Sequence, residues 1–275
     1  MNQPKGSFAH LVCLNWQMDI AHRHKTIVET VADRARVTVA ELAALTQCSE
    51  MTIRRDLESL ESAGVLRRVH GGAERIPLSA IEPPYALRAL SNTEAKRALA
   101  RACSDLLADG ESVVLDAGTT AVQIAKVLRG RRMTIAPLSV QVLCEIASDP
   151  TTSLLVPGGS VRPGEQTFVG EPAEQALGAV RFDTLILACC GLDAEAGATT
   201  HHLDDARVKR AALASATRVM AVVTADKLGK IAFGKVCSPQ RLDLVVTDAP
   251  ATAQPIKALR AIGVQVCTVP VNRES

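Results

Sequence analysis

Apolar residues in the first third of the chain recur at helical spacing in three short stretches. Ile27, Val28 and Val31 mark the inward stripe of a helix over 21–33. Leu42 and Leu45 do the same for a second helix, which Thr38 can cap. Ile53, Leu57 and Leu60 mark a third. Ser49 suits its N-cap, because the hydroxyl can accept from an unpaired first-turn amide, and Gly64 sits where a left-handed residue ends a helix. With Gln47-Cys48 as the turn between the second and third, the pattern predicts a helix-turn-helix. The stretch 65–72 then predicts a short strand with a basic edge at Arg67-Arg68 and a tight turn at His70-Gly71-Gly72, the wing of a winged helix. The plainer alternative is a small helical bundle with an exposed arginine pair.

The texture changes beyond this segment. Residues 76–92 predict a linker, with Pro77, Pro83 and Pro84 denying it regular structure. A helix rich in Ala and Leu follows over 93–107, ended by Asp109-Gly110. From there continuous apolar runs (112–116, 133–136, 153–156, 184–188, 219–223, 242–247, 264–268) alternate with helical patterns (120–128, 140–147, 172–177, 205–216, 253–261). Strands apolar throughout, with helices between them, predict an α/β domain: a mostly parallel sheet covered on both faces. The expected division is an N-terminal extension over 1–20, a winged helix-turn-helix over 21–75, a linker over 76–92 and an α/β domain over 93–275. The run His10 to Trp16 is too short and too weakly charged for a secretory signal, so 1–17 is expected to be a disordered extension or to precede the true start at Met18.

Composition narrows the function classes. Aromatics make up 2% of 275 residues, too few for the stacking platforms of a single-strand nucleic-acid binder. Net charge is +2, and residues 1–75 carry ten Lys/Arg against nine Asp/Glu, so duplex DNA binding has to rest on placed charges at Arg54, Arg55, Arg67 and Arg68. The eight cysteines lack metal-ligand spacing and are expected as reduced, buried thiols of a cytoplasmic protein. Adjacent His201-His202 point apart in an extended chain, so no metal and no cofactor is expected. No apolar run reaches the ~20 residues of a membrane span.

Arginines and small polar groups near a helix N-terminus suit the DNA major groove, where the arginine fork reaches guanine O6 and N7 together. The candidate DNA-binding residues are Ser49, Glu50, Met51, Thr52, Arg54 and Arg55, with Arg67, Arg68 and His70 of the wing on phosphate. In the second domain the strongest signal is Asp116-Ala117-Gly118-Thr119-Thr120. A strand end, a tight glycine turn and a helix opening with two hydroxyls suit a phosphate, while Asp116 can accept from sugar hydroxyls. Ser139, Gly158, Gly159, Gly191, Asp205, Lys209 and Lys227 lie at other strand ends or helix starts and complete the candidate effector site. An ordinary capped turn, surface loops and dipole partners are the bland readings of these groups.

These residues resemble the DeoR-type bacterial transcriptional regulators over about residues 21–250. The resemblance rests on Val39-Ala40-Glu41-Leu42-Ala43, on the run Ser49-Glu50-Met51-Thr52-Ile53-Arg54-Arg55-Asp56-Leu57 and on Gly64 to Ala73. It continues in Asp116 to Thr120, Gly158-Gly159, Gly170, Gly191-Leu192-Asp193, Gly197, Lys209 and Lys227-Leu228-Gly229. It implies a sensor domain similar to ribose-5-phosphate isomerase and CoA-transferase folds. It further implies a repressor of a sugar or related carbon-metabolism operon, acting on operator DNA as a dimer or tetramer and controlled by a phosphorylated sugar or related metabolite. Two departures stand out. Pro137-Leu138 precede Ser139 where the family usually has Thr-Asn, and Thr224 stands where the family has an aspartate three residues before the lysine, with Asp226 nearby. The competing reading is a sugar-phosphate isomerase or transferase with an accessory DNA-binding domain, which needs a free general base such as Asp116.

Overall fold

The computed structural model describes residues 20–62, 65–75 and 82–271. The expected extension before Ile20, the helix stop at Gly64 and Pro77 of the linker lie outside the described residues. The chain divides into two compact units, Met1–Ile76 and Pro77–Ser275.

In the first unit, helices α1 (Ile20–Arg34), α2 (Val39–Thr46) and α3 (Glu50–Ser62) pack with a small sheet of β1 (Arg36–Thr38), β2 (Leu66–Val69) and β3 (Gly72–Arg75). β2 and β3 form the wing hairpin, and β1, which the sequence pattern did not suggest, pairs with β3 on its other side. Ile27, Val31, Leu42, Ile53, Leu57, Leu60 and Leu66 fill the core. Thr38 caps α2 in a capping box, its hydroxyl accepting from the Glu41 amide at 3.2 Å while Glu41 accepts the Thr38 amide at 2.8 Å. Leu45, expected in the core, is exposed. The inner face of α2 runs through Val39, Leu42 and Thr46 instead; Thr46 takes the place four residues after Leu42 and returns its hydroxyl to the Leu42 carbonyl at 2.7 Å.

The second unit opens with α4 (Tyr85–Leu90) and α5 (Thr93–Asp105). Helix α4 corrects the expectation of an irregular linker: a proline blocks a helix interior but not its start, and Pro84 is the residue immediately before α4. Strands and helices then alternate: β4 (Ser112–Leu115), α6 (Thr119–Leu128), β5 (Thr134–Pro137), α7 (Val140–Ile146), β6 (Ser153–Leu154), β7 (Ser160–Val161), β8 (Phe168–Val169), α8 (Glu171–Gly178), β9 (Phe182–Ala188). They continue with β10 (Gly191–Asp193), β11 (Gly197–Thr200), α9 (Leu203–Ser215), β12 (Ala216–Val223), β13 (Gly234–Cys237), β14 (Leu244–Thr247), α10 (Gln254–Ala261) and β15 (Gln265–Thr268).

Seven strands form one parallel sheet in the order β15-β14-β12-β9-β4-β5-β6. Successive side chains of a strand point to opposite faces, so both faces carry a core. Val113 and Leu115 join Leu99, Ile124, Leu128 and Ile146 under α5, α6 and α7. Val114 joins Leu177, Ala212, Ile256 and Leu259 under α8, α9 and α10. The seven apolar runs of the sequence are these seven strands. A three-stranded antiparallel sheet, β10-β11-β13, is additional.

Candidate functional site

The first site is the outer face of α3. The Ser49 hydroxyl accepts the Thr52 amide at 3.1 Å and meets the Thr52 hydroxyl at 2.9 Å, so both polar groups are held at the helix start. The helix then turns Ile53, Leu57 and Leu60 inward and leaves Met51, Arg54 and Arg55 exposed. Glu50 reaches forward one turn to hold Arg54 at 3.1 Å. Arg55 has no carboxylate within ion-pair distance among the described residues. Asp56 faces inward, where it accepts from Arg23 at 2.5 and 3.1 Å and meets His24 at 3.0 Å, pinning α3 to α1. On the wing, Arg67 lies directly across from Glu74 and donates to it at 2.6 Å, Arg68 donates to Glu58 of α3 at 2.9 Å, and His70 is exposed at the hairpin turn. Met51, Arg54 and Arg55 thus lie on the exposed side of α3, which Arg68 of the wing reaches through Glu58, while Arg67 alternates to the other face of the hairpin beside Glu74. Sequence reasoning missed that Glu50, Glu58 and Glu74 set the poses of three of the arginines; the spacing of Glu50 and Arg54 was the one visible sign.

The second site is a cleft at the carboxyl ends of neighbouring strands, where open α/β sheets bind ligands. It is lined by the turn after β4 (Ala117, Gly118, Thr119, Thr120), the residues after β9 (Cys189, Cys190), Lys209 of α9 and Lys227 after β12. Gly118 has φ +96°, a conformation L side chains rarely adopt, and it opens α6 without any side-chain cap. The first-turn amides of α6 thus face the cleft, beside the buried Thr119 and Thr120 hydroxyls, which have no hydrogen-bond partner among the described residues. Lys227 donates to the Cys189 carbonyl at 3.0 Å and has no carboxylate partner among the described residues. Backbone amides, two hydroxyls and an ammonium make a site for an anion.

Asp116 corrects an expectation. Its carboxylate is almost wholly buried, one oxygen accepting its neighbour Ala117 at 2.7 Å, the other accepting Ala188 at 2.8 Å and the Lys209 ammonium. With 1% of the residue exposed and three donors already on it, the carboxylate is closed to a sugar hydroxyl and is not a free general base. Burial alone would lower the Lys209 pKa, but Asp116 and then Asp205 outweigh it and hold it raised, so the ammonium stays charged. Asp205 is likewise engaged: it accepts both arms of Arg162, at 3.0 and 2.7 Å, and the Thr167 hydroxyl at 2.8 Å. Burial pushes the Cys189 thiol up to about 12, which leaves it inert.

Besides Asp116, four expected residues are not brought to the cleft lining. Ser139 is fully buried and caps α7 by accepting Val142 at 3.3 Å. Gly158 stands in the loop before β7. A Cβ on Gly159 would lie 2.4 Å from the Val169 carbonyl oxygen, and one on Gly191 would lie 2.3 Å from that of Lys230. The space at these two glycines is therefore taken by the chain's own backbone. In their stead the cleft gathers Glu82, Arg88 and Glu165, which sequence reasoning missed. Arg88 pairs with Glu165, and a Cβ on Gly118 would lie 3.8 Å from the Arg88 guanidinium, so that pair stands directly over the anion turn.

Two family models match the chain: the DeoR-like helix-turn-helix domain over residues 23–77 and the DeoR C-terminal sensor domain over 91–249. The chain belongs to the DeoR family. It is a DNA-binding transcriptional regulator. A putative aga operon transcriptional repressor of Escherichia coli O157:H7 is 33% identical over 90% of this chain and 94% of its own. The regulator GlpR of Haloferax volcanii is 32% identical over 90% and 96% respectively. The glycerol-3-phosphate regulon repressor of Escherichia coli K12 is 29% identical over 88% and 96%. Among solved structures, ribose-5-phosphate isomerase A of Methanocaldococcus jannaschii is similar over 50% of this chain and 55% of its own, at 14% identity and a TM-score of 0.38.

The two departures of this DeoR-family chain can now be placed. Leu138 is buried in the core, its carbonyl accepting Phe168 at 2.9 Å, and lies outside the cleft lining. Thr224 is buried and accepts the Lys227 amide through its carbonyl at 2.9 Å. Asp226 does not stand in for the missing aspartate: it is exposed and accepts from Asn92 at 2.9 Å. Among the described residues, no helix is long and apolar enough to cross a membrane.

Proposed function

We propose that this regulator represses an operon of sugar or related carbon metabolism and that a phosphorylated sugar bound in the cleft sets its affinity for operator DNA. The open start of α6 carries the effector half of this reading. Uncapped amides, the Thr119 and Thr120 hydroxyls and Lys227 line the cleft there, with the Arg88–Glu165 pair over them. That chemistry favours a phosphate over a neutral sugar. The names of two relatives, an aga operon repressor and a glycerol-3-phosphate regulon repressor, agree with a carbon-metabolism role.

On DNA, Arg54 and Arg55 read the major groove from α3, while Arg67 and Arg68 hold phosphates from the wing. The protein acts as a homo-oligomer, whose paired recognition helices stand about 34 Å apart, one turn of DNA. The effector works by preferring one of two states of the protein, since equal affinity for both would change nothing.

A thermal-shift panel of pentose, hexose and triose phosphates, with inorganic phosphate as the minimal probe, tests the site. A stabilising compound should lose its effect in Thr119→Ala and should alter the mobility shift of upstream DNA by the wild-type protein. An unchanged thermal shift in Thr119→Ala places the ligand elsewhere.

A further inference from the structure

Among the described residues, each buried or half-buried cation at or beside the cleft but one has a carboxylate of its own. Lys209 has Asp116, Arg162 has Asp205 at 2.7 Å, and Arg88 has Glu165. Lys227 is the exception. A fourth carboxylate, Glu82, is nonetheless pressed among these pairs, and its contacts are all long: 3.4 Å to Arg162, 3.5 Å to Arg88, 3.7 Å to the Cys190 thiol and 3.8 Å to His202. It is mostly buried, with 12% of the side chain exposed, so it has left water without gaining one short ion pair in return.

Three consequences follow from that placement. First, three bases (Arg88, Lys209, Lys227) and three acids (Glu82, Glu165, Asp205) line the cleft while Glu82 is in it, so an incoming anion meets no net formal charge. With Glu82 withdrawn, one positive charge is unbalanced. Second, the cavity left free is about 30 Å³, room for water. Ordinary small-molecule pockets hold roughly 300–1,000 Å³. The cleft is half open to solvent, and Glu82 is the loosely held side chain whose departure would enlarge it. Third, Glu82 is tied to the chain that leads to the DNA-binding unit. Only residues 76–81 separate it from Arg75 at the end of β3, while the adjacent Pro83 carbonyl accepts Arg88 at 2.8 Å.

We infer that Arg88 and Arg162 form an anion subsite that the chain's own Glu82 carboxylate fills in the free protein, and that the anionic effector binds by taking its place. This rests on the phosphate reading given above and adds its regulation. Glu82 is an internal competitor, and its expulsion reports occupancy of the cleft to the segment joining the two units. The exchange swaps one carboxylate for one phosphate against the same two guanidiniums. Its cost is therefore a few long contacts rather than a buried pair.

The test is calorimetric titration of the full chain with inorganic phosphate, and with any stabilising sugar phosphate, in wild type, Glu82→Gln, Glu82→Ala and Thr119→Ala. Glu82→Gln keeps the shape and removes the competing charge, so it should bind phosphate about five- to tenfold more tightly than wild type. Glu82→Ala, which also empties the place, should do at least as well, and melting curves of both should show a folded sensor unit. On operator DNA, effector-free Glu82→Gln should move toward the affinity of ligand-saturated wild type. Equal phosphate affinity in wild type and Glu82→Gln, with Thr119→Ala still losing it, overturns the competitor role and leaves the phosphate reading intact. No binding by any variant overturns both.

Discussion

Arg54, Arg67 and Arg68 of the DNA-binding unit and Arg88, Arg162 and Lys209 of the sensor unit are each paired with a carboxylate, yet the two sets behave differently. Arg54 and Glu50 are each more than half exposed, at 56% and 54%. Lys209 and Asp116 are 8% and 1% exposed. An exposed pair contributes about 0–1 kcal/mol, so Arg54, Arg67 and Arg68 can trade their glutamates for DNA phosphate or a base edge at little cost. Breaking a buried pair costs about 3–5 kcal/mol, so Asp116–Lys209 and Asp205–Arg162 are fixed parts of the cleft wall. Depth, and not residue type, separates a charge that can change partner from one that holds shape. Glu82 lies between these limits: buried like the second set, held as loosely as the first.

The largest effect should come from the most buried pair. Lys209→Met leaves Asp116 without its cation and should destabilise the sensor unit by about 3–5 kcal/mol, read by chemical denaturation. A loss under 1 kcal/mol would show that the cleft pair is as exchangeable as the surface ones. Next, Arg54→Ala/Arg55→Ala should remove about 1–3 kcal/mol of base discrimination for each arginine that makes a bidentate contact, abolishing a specific bandshift. Arg55 alone should cost more than Arg54, because Arg54 must first release Glu50. Retained binding in the double variant would take the reading role away from α3.

A smaller effect is expected at the wing. Arg67→Ala/Arg68→Ala should weaken binding evenly across DNA sequences and reduce the salt dependence by about two counterions. A sequence-selective loss would instead place these side chains on bases. The smallest effect is acid sensitivity carried by exposed caps. The Ser112 backbone and hydroxyl hold Asp183 below its ordinary 3.8, and the Ala196 and Glu195 amides do so for Asp193. Their contribution is fully present above that value and is lost as pH falls through their lowered pKa values. The melting temperature should therefore decline below about pH 4, with a shallower decline in Asp183→Asn.

How much could be read in advance depended on the range of the interaction. Ser49, Ile53, Leu57, Leu60 and the Arg67-Arg68 edge act within one helix or one hairpin, and their spacing carries the information. The parallel strands were equally visible, because burial on both faces demands unbroken apolar runs. The short strands β10, β11 and β13 were not, since three or four residues mixed with glycine have no period to detect. Helix α4 was hidden by the prolines before it. The cleft was half legible. Gly118, Thr119, Thr120 and Lys227 belong to recognisable turns. Glu82, Arg88, Arg162 and Glu165 are ordinary surface-type residues in the sequence, brought together from segments up to 83 positions apart.

The sequence by itself determined the winged helix-turn-helix, the parallel sheet and the glycine turn where an anion can dock, because local periodicity, capping and turn chemistry need no distant partner. Only the tertiary structure decided which charges are free. Asp116 and Asp205 look like ligands in the sequence and are spent on Lys209 and Arg162, since a buried carboxylate must be paired. Arg88 and Arg162, silent in the sequence, stand over the cleft with Glu82 loosely between them. A charge acquires its role from the neighbours it meets after folding, and those neighbours are set by packing across the whole unit.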